Sequence, residues 1–321
     1  MDDYEFKLEI NFKEVTEFLN NTFSSPSHYP EWNLIAAKYF KSEFCYLNAY
    51  EGKELKGICP VFRSQNNRLS YIKTGIREYT LPYGGWIFKE PTGLSLKNVP
   101  LSINEAFTGI TLPSLTEFNV SYSDNVNGKL ETLIINLSRT EDDIWNNVIH
   151  SKRRNMIRKA EKSEVRIYSN NNIDEFYEIY ESSHLAYGLP VHSKEFYNEI
   201  FSIKENIKFD IFYASHENKL AGALVMVSSK DYAIYLYGLS SKDAGNFGQG
   251  ELLQWTAIKA ANEKGCKYYD LCYIEKDKLK HIADFKKAFG EKEIEVPVLA
   301  VRKKPFKIIK KIFELPALRK S

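Results

Sequence analysis

The chain has 321 residues, 43% hydrophobic and 27% charged, and 44 basic side chains nearly balance 42 acidic ones for a net charge of +2. That composition leaves room for two ordinary domains, and it excludes both a disordered chain and a nucleic-acid binder defined by bulk charge alone. Cys45, Cys59, Cys266 and Cys272 form no CxxC pair, the acidic start MDDYEFKLEI has no signal-peptide pattern, and no apolar run reaches about 18 residues, so a reduced cytoplasmic setting is expected.

Residues 44–62, FCYLNAYEGKELKGICPVF, are predicted to form a hairpin bent at Glu51-Gly52-Lys53. Residues 211–227, IFYASHENKLAGALVMV, repeat the pattern with Glu217-Asn218-Lys219 at the bend. Leu55 and Gly57 then align with Leu220 and Gly222. Each hairpin is expected to lead into a strand ending in a Tyr-Gly step, Tyr83-Gly84 in the first half and Tyr237-Gly238 in the second. The same order of elements twice predicts two tandem copies of one α/β (α+β) domain, each a mixed sheet flanked by helices.

Ser138-Arg-Thr-Glu141 has capping-box spacing, which sets the boundary: 1–137, 138–303, and a tail from 304 to 321. From that cap, Trp145, Ile149, Met156 and Ala160 predict an amphipathic helical segment. Its stretch HSKRRNMIRKAEK (150–162) concentrates Lys152, Arg153, Arg154, Arg158, Lys159 and Lys162. The stretch reads either as an ordinary solvated helix face or as a dock for something anionic, with Lys159 and Lys162 expected in solvent. The six histidines show no metal-ligand spacing and no HExxH, so no metal is expected. His184 and His192, flanking the loop Tyr187-Gly-Leu-Pro190, stand out as candidates.

Strand 232–241, YAIYLYGLSS, alternates through Tyr235 and Tyr237, and the glycine loop Gly245-Asn-Phe-Gly248-Gln-Gly250 follows. Next comes a helix with Leu252, Leu253, Thr256, Ala257, Ala260 and Ala261 on one side, stopped by Gly265. The Gly248-x-Gly250 step is either a turn or a cradle in which backbone N–H groups hold phosphate or a carboxylate. Asp270, in the apolar strand KYYDLC (267–272), needs a core donor as partner or a chemical task, and Tyr237, inward-pointing on the neighbouring strand, is read as a donor or acid. DFKKAFG (284–290) is either a helix end or an ammonium set beside an aromatic ring to stabilise an oxyanion. The tail from Pro305 reads as a basic amphipathic helix that packs on the domain or adsorbs to an anionic membrane surface.

In that order, SPSHYPEW (25–32), TLPYGGW (80–86), RRNMIRKAEK (153–162), YLYGLSS (235–241), KYYDL (267–271) and FKKAFG (285–290) resemble the FemABX-like acyltransferases of the GNAT superfamily, over residues 24 to 300 or so. The resemblance implies two tandem GNAT-like domains and transfer of an acyl or aminoacyl group to an amine on a cell-envelope precursor, such as a sugar nucleotide. It also implies that Lys286 sits near the reacting carbonyl with Phe285 beside it, and that Arg153 or Arg154 binds the acceptor's phosphate or carboxylate. Tyr235 and His184 join these as substrate-binding candidates, and Lys286, Asp270 and Tyr237 form the catalytic set. No coiled-coil insertion is visible, and Gly245 stands where CoA-binding members carry Gln or Arg. The donor therefore stays open between acyl-CoA and aminoacyl-tRNA, with no resident cofactor. A non-catalytic protein that binds tRNA or another polyanion is the competing reading. No residue of the sequence declares itself the general base.

Overall fold

The computed structural model describes residues 4–66, 69–75, 81–170, 172–241, 244–274, 280–303 and 306. It divides into two compact units, Met1–Leu130 with Glu295–Ser321, and Glu131–Ile294. In chain order the elements of the first unit are β1 (Glu5–Glu9), α1 (Phe12–Asn20), α2 (Pro30–Phe40), β2 (Glu43–Glu51), β3 (Glu54–Asn66), β4 (Leu69–Lys73), β5 (Ile87–Phe88), β6 (Thr92–Leu94), β7 (Glu105–Ile110) and β8 (Val120–Tyr122). β9 (Val126–Asn136) leads into the second unit. That unit continues through α3 (Glu141–Asp143), α4 (Ser151–Lys162), β10 (Arg166–Ser169), α5 (Ile173–Ala186), α6 (Lys194–Phe201), β11 (Lys208–His216), β12 (Lys219–Ser228), β13 (Tyr232–Ser240), α7 (Gln249–Glu263), β14 (Tyr268–Tyr273) and α8 (Lys280–Lys287). The last strand, β15 (Lys292–Arg302), pairs with β7, and the chain from Glu295 onward groups with the first unit.

The first unit orders its sheet β1-β2-β3-β4-β7-β15, and the second β9-β14-β13-β12-β11-β10. The repeat is visible in the register itself. The β2–β3 hairpin slips by one residue between Ala49 and Tyr50, so that Tyr50 faces Leu55 and Ala49 faces Gly57. The β11–β12 hairpin slips between Ala214 and Ser215, so that Ser215 faces Leu220 and Ala214 faces Gly222. One bulge at one place in both copies is what the Leu-x-Gly spacing encodes, since a bulge sets two residues of one strand against one of the other. The Tyr-Gly steps do not match in the same way. Tyr237-Gly238 lies within β13, whereas Tyr83-Gly84 lies in a loop after β4, where Gly84 N donates to Ile110 O.

The SPSHYPEW motif is an internal brace of the first unit. His28 is fully buried, accepts from Ser25 N at Nδ1 (3.2 Å) and donates from Nε2 to Gly85 O (3.3 Å). Burial pushes its pKa down to about 4, so it is neutral there. The cap of the second unit also differs from expectation. Thr140, not Ser138, caps α3 by accepting from Asp143 N, and a single π-turn, Ile144–Val148, follows. The chain is extended at Ile149, and α4 starts afresh with His150 as its cap. The predicted single helix is therefore two, because Ile149 is needed in the core more than on a continuous helical stripe. Among the described residues no helix is long and apolar enough to cross a membrane, and apart from Phe306, packed edge-on against Tyr71, the tail lies outside them.

Candidate active site

The site grows from two irregular strands at the centre of the second unit. β13 and β14 pair in parallel at Tyr232–Tyr268, Ala233–Tyr269 and Ile234–Asp270, and then both run on without pairing to each other. On β14, Asp270 faces Ile134 of β9 and Tyr273 faces Thr132, so three steps on one strand answer two on the other. The surplus is absorbed at Cys272, whose φ of +62° lies in the left-handed region that side chains other than glycine rarely enter. Asp270 holds it there: its Oδ1 accepts from Cys272 N (2.7 Å) and Thr132 Oγ1 (2.5 Å), and its Oδ2 accepts from Tyr232 OH (2.7 Å). Burial pushes the Asp270 pKa up, against these donors and the Lys286 ammonium. The carboxylate expected to be catalytic is thus engaged in shaping the strand. Cys272 Sγ donates to Tyr235 O (3.1 Å) across the parted strands.

β13 carries its own bulge, with Met226 facing Tyr235 and Val225 facing Tyr237, so Leu236 is the extra residue. The simple alternation read from the sequence would place both tyrosines on one side; the bulge sends them to opposite sides. Tyr235 packs on the core cluster that includes Trp255 and Ile258 of α7. Tyr237 instead turns to α5 and α6, where its hydroxyl accepts from Tyr197 OH (3.1 Å) and its ring lies 5.8 Å from that of Tyr180. Burial raises the Tyr237 pKa, which keeps it a neutral phenol.

Lys286 of α8 is only 8% exposed. Its Nζ donates to Tyr273 O (3.2 Å) and stands 5.7 Å from the centroid of the Tyr235 ring. Burial pushes its pKa down, partly offset by Cys272 and Asp270. A desolvated ammonium next to the open ends of two strands can polarise a carbonyl far more strongly than one in water.

The two arginines part company. Arg153 stacks over Phe285 (5.0 Å to the ring centroid) and forms an ion pair with Glu251 of α7 (2.7 Å). It lines an open groove of about 670 Å³, together with His150, Lys152, Asp284 and Lys287. Arg154 Nη1 is turned inward instead, donating to the carbonyls of Trp145, Asn146 and Ile149 (3.0, 3.0 and 2.7 Å). It stitches the π-turn to α4, a task its charge does not advertise in the sequence. Lys159 is exposed, as expected, and its Nζ also donates to Asn246 O (2.6 Å), which ties α4 to the glycine loop.

In that loop Gly248 caps α7 with φ +85°, and a Cβ there would lie 2.2 Å from Met156 O. Gln249 braces the loop by accepting from Phe247 N and donating to Gly245 O, both 2.9 Å. Among the described residues no side chain caps the N-terminus of α7, and a Cβ at Gly250 would meet nothing within 4 Å. The N–H groups of that first turn are thus available to an anion. His184 ends α5, its ring 4.0 Å from that of Tyr180 and 5.9 Å from that of Tyr237. The structure therefore gathers Lys286, Tyr235, Asp270 and Cys272 around the strand opening, with Arg153 and Phe285 on α4 and α8, and sets Tyr237 with His184 on the α5 side. Glu251, Cys272 and Tyr197 were not foreseen; only Glu251, an acid in the first turn of α7 just before Leu252 and Leu253, left a signal in the sequence. Among the described residues no group of three or more His, Cys, Asp or Glu could hold a metal ion.

Residues 150–287 match the family model described as an acetyltransferase (GNAT) domain. No curated protein matches the chain in sequence. Among solved structures, FemX is similar with a TM-score of 0.65 at 12% identity, covering 97% of this chain and 100% of its own. The C-terminal domain of a putative lysylphosphatidylglycerol synthetase from Agrobacterium fabrum gives 0.58 at 10% identity, covering 94% and 96%. A tandem GNAT protein from the clavulanic acid biosynthesis pathway gives 0.51 at 10% identity, covering 93% and 98%. Residues 150–287 are thus an acetyltransferase (GNAT) domain, in an acyltransferase whose fold is that of the FemX-like and tandem GNAT proteins.

Proposed function

We propose that the chain is an N-acyltransferase that moves an acyl or aminoacyl group from acyl-CoA or aminoacyl-tRNA to an amine on a cell-envelope precursor. The observation that carries this reading is the buried Lys286 ammonium beside the opening between β13 and β14. A donor carbonyl placed there meets a charge that strengthens its interaction as the oxygen becomes an oxyanion, which is the condition for catalysis rather than mere binding. The free first turn of α7 takes the donor's phosphate, and Arg153, with the groove beside it, takes an anionic group of the acceptor. The envelope assignment draws on likeness alone: the Agrobacterium relative is named for an aminoacylated lipid. A cytoplasmic site of action, with the tail touching the inner face of the membrane, belongs to the same reading.

The exposed cations of α4 favour a second reading, a protein that binds tRNA or another polyanion without turnover. Calorimetric titration with acetyl-CoA, and then with total tRNA, separates the cases. Saturable micromolar binding of acetyl-CoA that Gly250→Asp abolishes supports a CoA donor held at α7. Salt-sensitive tRNA binding with no CoA binding supports an aminoacyl donor. Such binding, with no acyl or aminoacyl transfer to any amine, would overturn the enzymatic reading.

A further inference from the structure

We propose that His184 Nε2 is the general base that removes the proton from the attacking amine. The inference rests on the acyl-transfer reading and supplies the base that reading lacks.

The argument starts from one hydrogen bond. His184 Nδ1 lies 3.1 Å from Tyr180 O. A carbonyl oxygen can only accept, so Nδ1 carries the ring proton and Nε2 is left as a bare lone pair. Nε2 has no hydrogen-bond partner among the described residues. The groups facing the ring are Tyr180 on its own helix, Tyr237 on β13 and His192 on the following loop, with Tyr197 of α6 behind Tyr237. None is a carboxylate that would hold a second proton on the imidazole. Burial, the largest influence, also moves the ring's pKa below its ordinary value, so it is neutral at pH 7.

Position and elimination agree. His184 faces Tyr237 on the α5 side of the sheet, on the half of β13 that has left β14. An amine entering the parted strands from that side meets Nε2, while the donor carbonyl between them meets Lys286 from the Tyr235 side. The other bases nearby are engaged or in the wrong state. Asp270 is held by three donors in a fully buried pocket. Burial keeps the Tyr237 hydroxyl and the Cys272 thiol protonated at neutral pH.

The step balances as follows. The amine nitrogen bonds to the donor carbonyl carbon, and the oxyanion forms beside Lys286. Nε2 takes the N–H proton, giving imidazolium. The C–S bond of a thioester, or the C–O bond of an aminoacyl ester, then breaks, and the imidazolium returns the proton to the leaving thiolate or alkoxide.

His184→Asn is the discriminating variant, because its amide nitrogen can still donate to Tyr180 O but nothing stands where Nε2 was. The measurements are kcat/KM against pH, using acetyl-CoA or aminoacyl-tRNA as donor and D-glucosamine, glycine and lysine methyl ester as probe amines, with 15N ring shifts of histidine-labelled full-length protein. In wild type, kcat/KM should fall with slope two at acid pH, one proton for the amine and one for His184. In His184→Asn it should fall with slope one, be lower by roughly 10²- to 10⁴-fold, and recover in part with added imidazole, at an unchanged melting temperature. The ring shifts should show the Nδ1–H tautomer. An Nε2–H tautomer, or a His184→Asn protein with wild-type rate and profile, overturns the assignment alone. No turnover in wild type with any donor and amine overturns the acyl-transfer reading and this assignment together.

Discussion

Gly248 and Gly250 look alike in the sequence, but the structure assigns them opposite sensitivities to a methyl group. In Gly248→Ala the new Cβ falls 2.2 Å from Met156 O, more than 1 Å inside the 3.4 Å at which ordinary contact begins, and the obstacle is backbone of α4 rather than a side-chain tip. The left-handed φ of +85° adds about 1–2 kcal/mol for any residue with a Cβ. Forcing a methyl into a packed helix–loop contact adds about 1–3 kcal/mol more. A loss of roughly 2–5 kcal/mol is expected. Gly250, in the first turn of α7, has nothing within 4 Å of its virtual Cβ, so alanine there should be neutral or stabilising by up to about 1 kcal/mol. Urea unfolding at pH 7, followed by tryptophan fluorescence, is suited to the comparison because Trp145 and Trp255, 5.2 Å apart, report on this part of the second unit. If Gly250 borders the donor phosphate, Gly250→Ala should weaken acetyl-CoA binding while the unfolding midpoint holds. A Gly248→Ala protein as stable as wild type, or a Gly250→Ala protein destabilised to the same degree, would refute the packing argument.

Other outcomes follow from the same geometry. Lys286→Met should lower turnover about 10²- to 10³-fold with little change in donor affinity, and isothermal titration beside steady-state kinetics checks both halves. Because burial lowers the Lys286 pKa, the folded state binds its proton less tightly than the unfolded state, and stability from this group rises as pH climbs from the folded pKa toward 10.5. The methionine variant should therefore melt no lower than wild type at neutral pH. Arg154→Ala should cost about 2–4 kcal/mol through three carbonyls left without their charged donor, with substrate constants unchanged in the folded fraction. Arg153→Ala should do the reverse, raising the apparent acceptor constant more than it lowers turnover. His28, neutral with a pKa of about 4 against an ordinary 6.5, should withdraw about 3 kcal/mol of stability as pH falls from 6.5 to 4. Urea midpoints at pH 7 and 4.5 test this, and His28→Gln should flatten the difference.

Much of the architecture was legible because it is local. Turn residues at 51–53 and 217–219, β-rich runs on either side of them and the same Leu-x-Gly spacing specify two hairpins and hence two copies of one domain. The glycine loop and the helix stopped by Gly265 were legible for the same reason, since backbone conformations open mainly to glycine and apolar spacing act within a few residues. The order of short motifs pointed to the superfamily, although no single one would have sufficed.

The assignment of tasks within the site belongs to the tertiary structure. Tyr235 and Tyr237 differ in sequence only by position, and a bulge fixed by pairing with β12 sends them to opposite sides of the sheet. Arg153 and Arg154 are adjacent cations, yet one meets Phe285 and Glu251 and the other meets three carbonyls. Asp270 becomes the anchor of a bulge because Thr132, 138 positions away, and Tyr232, 38 away, converge on it. Sequence spacing fixes what a residue can do with its near neighbours. Which donors, rings and charges meet it across the fold is set by strand register and helix packing, and that is where the chemistry of this protein is decided.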